Sequence, residues 1–168
     1  MTARSKDEPI LMEVKGLMID PSSNNPIVIL KDPESQTFLP IWIGLFEASA
    51  IQLGLESSES PRPRTHDLLA ATMAALDSHV VKVVVADLRD QTFYATIYVE
   101  RAGETLEIDA RPSDAIALAL RTAAPVLVAP SVLEKARVGD EGLMRGEQER
   151  IRKLLEDLDP DDLGEYKM

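Results

Sequence analysis

Two segments of this chain place arginine, a hydroxyl side chain and aspartate just ahead of an apolar helix. They read Arg111-Pro112-Ser113-Asp114 and Arg62-Pro63-Arg64-Thr65-His66-Asp67. Helix N-termini favour anions, because free backbone N–H groups and the positive end of the helix dipole lie there. An adjacent arginine adds bidentate recognition of phosphate or carboxylate. If the two helix starts face each other, they predict a small phosphate-binding cleft. Its candidate phosphate-binding residues are Arg64, Thr65, Arg111 and Ser113.

A purely structural interpretation of both segments stays open. Thr65 or Ser113 could serve as a helix N-cap, a role worth about 1 kcal/mol that requires no ligand. Arg111 could likewise form an ordinary salt bridge with Asp114 or Asp67.

Acid–base and metal chemistry are both possible with the side chains available. His66 stands in the first turn of a helix beside a carboxylate, where it could act as a general base or a metal ligand. The candidate catalytic residues are His66, Asp67 and Asp114. Because the chain has no cysteine, a metal would need carboxylate ligands, which suit Mg²⁺ or Mn²⁺. The candidate metal ligands are Glu47, Asp67 and Asp114, although no established metal-binding motif appears.

Composition indicates one soluble domain and argues against a dedicated nucleic-acid binder. The chain has 168 residues, 45% of them hydrophobic, and 29 acidic against 18 basic residues give a net charge of −11. Such a charge opposes phosphate binding, which dominates nucleic-acid affinity. Aromatic residues are only 4%, and the nearest approach to a base-stacking platform is Phe93, Tyr94 and Tyr98 on one strand. The absence of cysteine, of a signal peptide and of a membrane-spanning run predicts a cytoplasmic protein without membrane association.

Apolar periodicity and turn residues predict an α+β fold with a mixed, largely antiparallel sheet. The order is a meander, two helices, a second meander, a helix, a short strand and a short helix. The predicted strands are 10–19, 27–31, 37–43, 80–88, 92–100, 105–110 and 125–129, and the predicted helices are 45–56, 65–78, 113–123 and 130–136. Gly16 suggests a bulge, and Pro40 indicates an edge strand.

The chain divides into a polar leader (1–9), an α+β domain (10–138) and a C-terminal part (139–168). The C-terminal part combines a hinge, an amphipathic helix over 145–158 and an acidic tail. Its apolar residues Ile151, Leu154, Leu155 and Leu158 fall on one helical face. This helix or the edge strand near Pro40 could mediate assembly, and we expect a homo-oligomer because symmetric self-association is common.

Three stretches resemble the bifunctional nuclease (BFN) domain family. They are "FLPIWIGLFEASAIQLGLE", "RPRTHDLL" and, most specifically, "RPSDAIALALR". The resemblance extends over about residues 11–138, and the C-terminal "DLDPDDLGEYKM" is similar to the extension of many bacterial members. Plant members give the family its name through DNase and RNase activity. The residues that match its pattern are Glu47, Arg64, Thr65, His66, Asp67, Arg111, Ser113 and Asp114.

This resemblance implies a nuclease that hydrolyses phosphodiester bonds of DNA, RNA or both. Arg64 and Arg111 would hold the phosphate, while carboxylates would carry a divalent ion that activates water. The alternative is a non-catalytic regulatory module that binds an anion or a protein partner through the same cleft. The acidic composition and the lack of a compact carboxylate cluster favour that alternative.

Overall fold

The computed structural model describes residues 8–57, 60–138 and 153. Within these residues it contains seven strands and four helices. The strands are β1 (Ile10–Ile19), β2 (Pro26–Lys31), β3 (Phe38–Trp42), β4 (Ser78–Arg89), β5 (Thr92–Arg101), β6 (Glu104–Ala110) and β7 (Val126–Val128). The helices are α1 (Leu45–Leu55), α2 (Thr65–Ala75), α3 (Pro112–Thr122) and α4 (Pro130–Val138).

All seven strands form one sheet in the order β3-β2-β1-β7-β4-β5-β6. Neighbouring strands are antiparallel except β7 and β4, which are parallel. The predicted α+β class with a mixed, largely antiparallel sheet is therefore confirmed. The three-residue strand β7 joins the two meanders, since it pairs with β1 on one side and with β4 on the other.

Two local predictions about the first meander are confirmed. The pairing of β1 with β2 shifts register between Val14 and Gly16, and Gly16 has a φ of 150°. Residues other than glycine rarely adopt such a φ, so a glycine bulge fits here. Pro40 lies in β3, which within the described residues is an edge strand. That is where a proline, which cannot donate to a ladder, is tolerated.

The helix α3 is the centre of the core. Ala115, Ile116, Ala117, Leu118 and Ala119 are each at most 1% exposed, as expected of a helix without a polar face. The helix packs against α1, α2, β4 and β5. Because α3 is surrounded in this way, its polar N-terminus is held close to the starts of α1 and α2.

The helix α2 ends earlier than predicted, at Ala75 instead of residue 78. Asp77 adopts a left-handed φ of 52° and ends the helix in a turn. Ser78 then begins β4, so His79 lies in that strand. The predicted helix 65–78 is therefore interrupted by a turn at Asp77, two residues after Ala75.

The predicted amphipathic helix over 145–158 lies outside the described residues. The domain limits 1–9, 10–138 and 139–168 stay predictions. Among the described helices, none has the length and apolarity needed to cross a membrane.

Candidate active site at three helix starts

The helices α2 and α3 begin with the same arrangement of arginine and aspartate. Arg64 and Arg111 are the N-caps, and Asp67 and Asp114 are the third helical residues. The expectation that Thr65 or Ser113 would cap its helix is wrong. The two arginines are the last residues with extended backbone, so the helices begin at Thr65 and Pro112, and Ser113 is the second helical residue. Proline is well suited to this first position, where its missing N–H is not needed.

Each of these aspartates bonds to the other helix. The Nε2 of His66 in α2 lies 3.1 Å from Oδ1 of Asp114 in α3. In return, Nε of Arg121 in α3 donates to Oδ1 of Asp67 in α2. The two contacts link residues 48 and 54 positions apart in the chain. The first contact joins the two helix starts, and the second is an ion pair between the start of α2 and the last turn of α3.

Arg111 connects this pair of helices to the start of α1. Its Nε donates to Oδ2 of Asp114 and its Nη1 donates to Oε1 of Glu47, each at 2.8 Å. The bond that Arg111 donates to Asp114, followed by the bond that it donates to Glu47, raises the pKa of the Arg111 guanidinium above its usual range. A Cβ at Gly44 would overlap Glu47 Oε2, so a larger residue there would require the Glu47 carboxylate to move.

The charge state of Asp114 determines the hydrogen position on His66. Burial raises the pKa of the Asp114 carboxyl, but bonds from Arg111 and then from His66 outweigh burial and hold it below its usual range. Asp114 is therefore ionised at neutral pH and can only accept. The His66 Nε2 must then carry the hydrogen of their bond, so Nδ1 is the nitrogen that can accept a proton when the ring is neutral.

Asp67 has a different role from Asp114. Its Oδ2 accepts from the backbone N–H of Arg64 at 2.9 Å, and its Oδ1 accepts from Arg121. The bond from the Arg64 N–H, followed by the bond from Arg121, lowers the pKa of the Asp67 carboxyl. This carboxylate caps its own helix and holds α3, and does not reach His66.

The three helix starts enclose a pocket of about 340 Å³. A volume of this size suits a small ligand or one unit of a polymer. All of its apolar side chains come from α1, which also contributes Glu47 and Ser49, and its other polar side chains come from α2 and α3. Of the predicted site residues it is lined by Glu47, Arg64, Thr65, His66, Arg111 and Asp114.

The two other predicted site residues lie elsewhere. Asp67 lines an adjoining pocket of about 380 Å³, where Arg64 and Arg121 also lie. Ser113 is only 6% exposed, within the buried first turn of α3. The structure thus brings together both arginines, the histidine and two of the three carboxylates.

Residues 28–141 match the bifunctional nuclease domain. The chain belongs to the bifunctional nuclease domain family. It is 36% identical over 160 residues to an uncharacterized protein of Mycobacterium tuberculosis, covering 90% of this chain and 96% of that protein. It is also 25% identical over 112 residues to Bifunctional nuclease 1 of Oryza sativa subsp. indica, covering 65% of this chain and 34% of the rice protein.

The predicted carboxylate ligands of this family member do not form a metal centre as they stand. Among the residues that the structure describes, no group of three or more histidine, aspartate or glutamate side chains is placed to hold a metal ion. Glu47 and Asp114 both accept from Arg111, and Asp67 accepts from Arg121. The arrangement of these three carboxylates therefore suits the guanidinium groups of arginine better than a divalent ion.

Sequence analysis did not predict Arg121 or Phe46 as site residues of this bifunctional nuclease-family protein. Arg121 follows Asp114 by seven residues, which is two helical turns on one face, so the spacing contained a signal. Phe46 lines the pocket and is 89% exposed. The periodicity of apolar residues could not predict this exposure.

The aromatic strand that sequence analysis offered as a stacking platform lies away from this site. Tyr94 and Tyr98 alternate with the core residues Ala95 and Ile97, so they face away from the helices. Cations already lie over both rings, since Arg89 is 5.0 Å from the Tyr94 centroid and Lys82 is 4.6 Å from that of Tyr98. Phe93 instead packs against the core, as expected for one of two consecutive strand residues.

Proposed function

We propose that this protein is a nuclease that hydrolyses phosphodiester bonds of DNA, RNA or both. The observation that carries the proposal is the convergence of two identically arranged helix starts on one pocket that also contains a histidine–aspartate pair. Such a pocket has the parts that phosphodiester hydrolysis needs: cations for the phosphate and a base for water. Family membership supports the same chemistry, and the rice relatives are named bifunctional nucleases.

The phosphate would bind between Arg111 and Arg64. Arg111 uses Nε and Nη1 for its carboxylate partners, so its Nη2 group is left for a ligand among the described contacts. Arg64 forms no ion pair within the described part of the chain and lines the same pocket. Each arginine also stands at the N-terminus of its helix, where backbone N–H groups add to the attraction for phosphate.

His66 would act as the general base. With Nε2 bonded to Asp114, Nδ1 takes a proton from the attacking water as the new P–O bond forms. The ester bond to the leaving oxygen breaks, and that oxygen takes a proton from solvent. Asp114 stabilises the positive charge that develops on His66, and Arg111 stabilises the negative charge on the phosphoryl oxygens.

A requirement for Mg²⁺ or Mn²⁺ stays a prediction. Arg111 bonds to one oxygen of Glu47 and to one of Asp114, so a divalent ion would compete with its guanidinium for these carboxylates. The hydrolysis with His66 as general base uses no metal ion. A comparison of cleavage in Mg²⁺, Mn²⁺ and EDTA tests the requirement directly.

A non-catalytic module that binds an anion is the second candidate. The carboxylates favour it over a metal-dependent nuclease, since Glu47 and Asp114 bond to Arg111 and belong to no group of three or more potential metal ligands among the described residues. The net charge of −11 also weakens attraction for a polyanion. In this case the pocket would bind phosphate without cleaving the ester.

The deciding experiment is cleavage of end-labelled single-stranded DNA and RNA by purified protein. We expect the double variant Arg111→Ala/Asp114→Ala to lose cleavage by about 100-fold or more, because it lacks both the phosphate ligand and the partner of the base. Circular dichroism checks that the variant is folded.

A matched control is the double variant Asp87→Ala/Arg89→Ala, which removes another arginine–aspartate pair, on β4. It should cleave as the wild type does. Contaminating nuclease would leave equal activity in all three preparations. Equal cleavage by the wild type and the folded site variant, or none by either, would contradict the nuclease and favour the anion-binding module.

A further inference from the structure

Phe46 is an exposed aromatic side chain at the mouth of the candidate site. At 89% exposure it is the most exposed of the large apolar side chains in the described part of the chain. It is the second residue of α1 and precedes Glu47, the carboxylate that holds Arg111. An aromatic face left in water beside a phosphate-binding pocket is available to a ligand that carries its own ring.

The helix α1 contributes all the apolar side chains of the pocket, together with the polar side chains of Glu47 and Ser49. Phe46, Ala50 and Leu53 recur at i, i+4 and i+7, so they share one face of the helix, and all three line the pocket. The helices α2 and α3 contribute only polar side chains to the pocket, among them those of Arg64 and Arg111. The apolar side chains thus suit an aromatic base, and the arginines suit a phosphate.

The groove continues along α1 beyond this pocket. The adjoining pocket shares Leu53, Arg64 and Arg121 with it and extends to Gly54. From Phe46 to Gly54 the helix rises about 12 Å. At a stacked rise of about 3.4 Å, this length has room for about three nucleotides. A strand fits this groove better than a mononucleotide.

We infer that Phe46 stacks on an unpaired base of single-stranded nucleic acid whose adjacent phosphate lies between Arg64 and Arg111. The inference rests on the proposed function and adds a residue that selects unpaired bases. A base inside a duplex has both faces covered by its neighbours, so it cannot stack on Phe46 without leaving the helix. Stacking of this kind tolerates any base sequence.

The test compares two fluorescent oligomers of 12 units, one of thymidylate and one abasic with the same sugar–phosphate chain. Both carry phosphorothioate linkages to slow hydrolysis, and binding is followed by fluorescence anisotropy in Mg²⁺ and in EDTA. We expect Phe46→Ala to weaken binding of the thymidylate oligomer about fivefold or more and to leave the abasic oligomer unaffected. Phe46→Trp should restore binding, and the fluorescence of its new indole should be quenched by the thymidylate oligomer alone.

Leu45→Ala is the matched control, because Leu45 is also exposed (62%) and adjacent in α1 but does not line the pocket. It should bind both oligomers as the wild type does. Unchanged binding by Phe46→Ala, or an equal loss for both oligomers, would overturn the stacking role and leave the proposed function intact. A changed mass of Phe46→Ala in light scattering would assign Phe46 to a subunit contact instead. A wild type that binds neither oligomer would contradict the proposed function itself.

Discussion

The two aspartates at the helix starts occupy equivalent positions but have different partners. Asp114 is bonded to His66 and Arg111, so its loss would change both the base and the phosphate ligand. Asp67 is bonded to the Arg64 N–H and to Arg121, so its loss would chiefly separate α2 from α3. The third position of a helix allows either aspartate to cap it. The side chains of the neighbouring helix determine the other partners of each carboxylate.

The lowered pKa of Asp67 makes the stability of the protein depend on pH. A carboxyl whose pKa is lower in the folded than in the unfolded state adds stability above its unfolded value, about 3.9. This contribution is lost as the pH falls from about 5 through the folded-state pKa. We expect the free energy of unfolding of Asp67→Asn to fall less steeply than that of the wild type from pH 6 to pH 3, as measured by urea denaturation.

The control for this experiment is Asp90→Asn, in the exposed turn between β4 and β5. Asparagine tolerates the positive φ of 47° at this position. The free energy of unfolding of Asp90→Asn should depend on pH as that of the wild type does. Parallel curves for the wild type and Asp67→Asn would show that the contacts of Asp67 add no pH-dependent stability.

At the scale of elements, α3 positions the site because α1 and α2 both pack on it. The approach of α1 is especially close at Gly54. A Cβ at this residue would lie 2.9 Å from Leu120 Cβ and 3.1 Å from Arg121 Nη1. The same crossing thus determines the distance between two helices and the position of the arginine that holds Asp67.

Gly54→Ala tests whether this close crossing is required. Helix propensity alone would make alanine more stable than glycine by about 1 kcal/mol. We expect the opposite sign, a loss of about 1–3 kcal/mol in the free energy of unfolding, because the added methyl group meets backbone-anchored atoms of α3. Urea denaturation measures the difference, and a stabilised variant would show that α1 and α3 can separate without cost.

At the scale of the whole molecule, apolar side chains are left at one end of the sheet. Leu106 and Ile108 of β6 are 45% and 43% exposed. They pair with Val99 and Ile97, which belong to the core beneath the helices. Residues directly opposite in a ladder share a face, so the helices leave this edge of the apolar face uncovered.

Assembly and a cytoplasmic location both stay predictions.

We expect a homo-oligomer that buries this edge. Size exclusion with light scattering should give a mass above 18.5 kDa for the wild type and a lower mass for Leu106→Ser/Ile108→Ser. Val81→Thr replaces a similarly exposed side chain on β4 and should leave the mass unchanged. A monomeric wild type would contradict assembly, and an oligomer unaffected by the β6 substitutions would place its contact elsewhere.

The sequence alone was enough to predict the types of all eleven described elements, the bulge at Gly16 and the edge strand at Pro40. Strands, helices and turns follow from periods of two and 3.6 and from glycine and proline, which act over a few residues. Family motifs also indicated six of the residues that line the pocket. The predicted N-caps Thr65 and Ser113 were wrong. Which of several neighbouring residues caps a helix depends on backbone angles that each of them could adopt.

Only the tertiary structure decided which of these residues meet. The bonds that His66 donates to Asp114 and Arg121 donates to Asp67 join distant parts of the chain. Any ionised aspartate attracts any arginine, so charge and spacing left several pairings open. The exposure of Phe46 was equally undetermined, because an apolar residue at the start of a helix is covered only if another element packs there. Packing of α3 between α1 and α2 selects the pairs, since a side chain bonds to the partner that the fold brings within its reach.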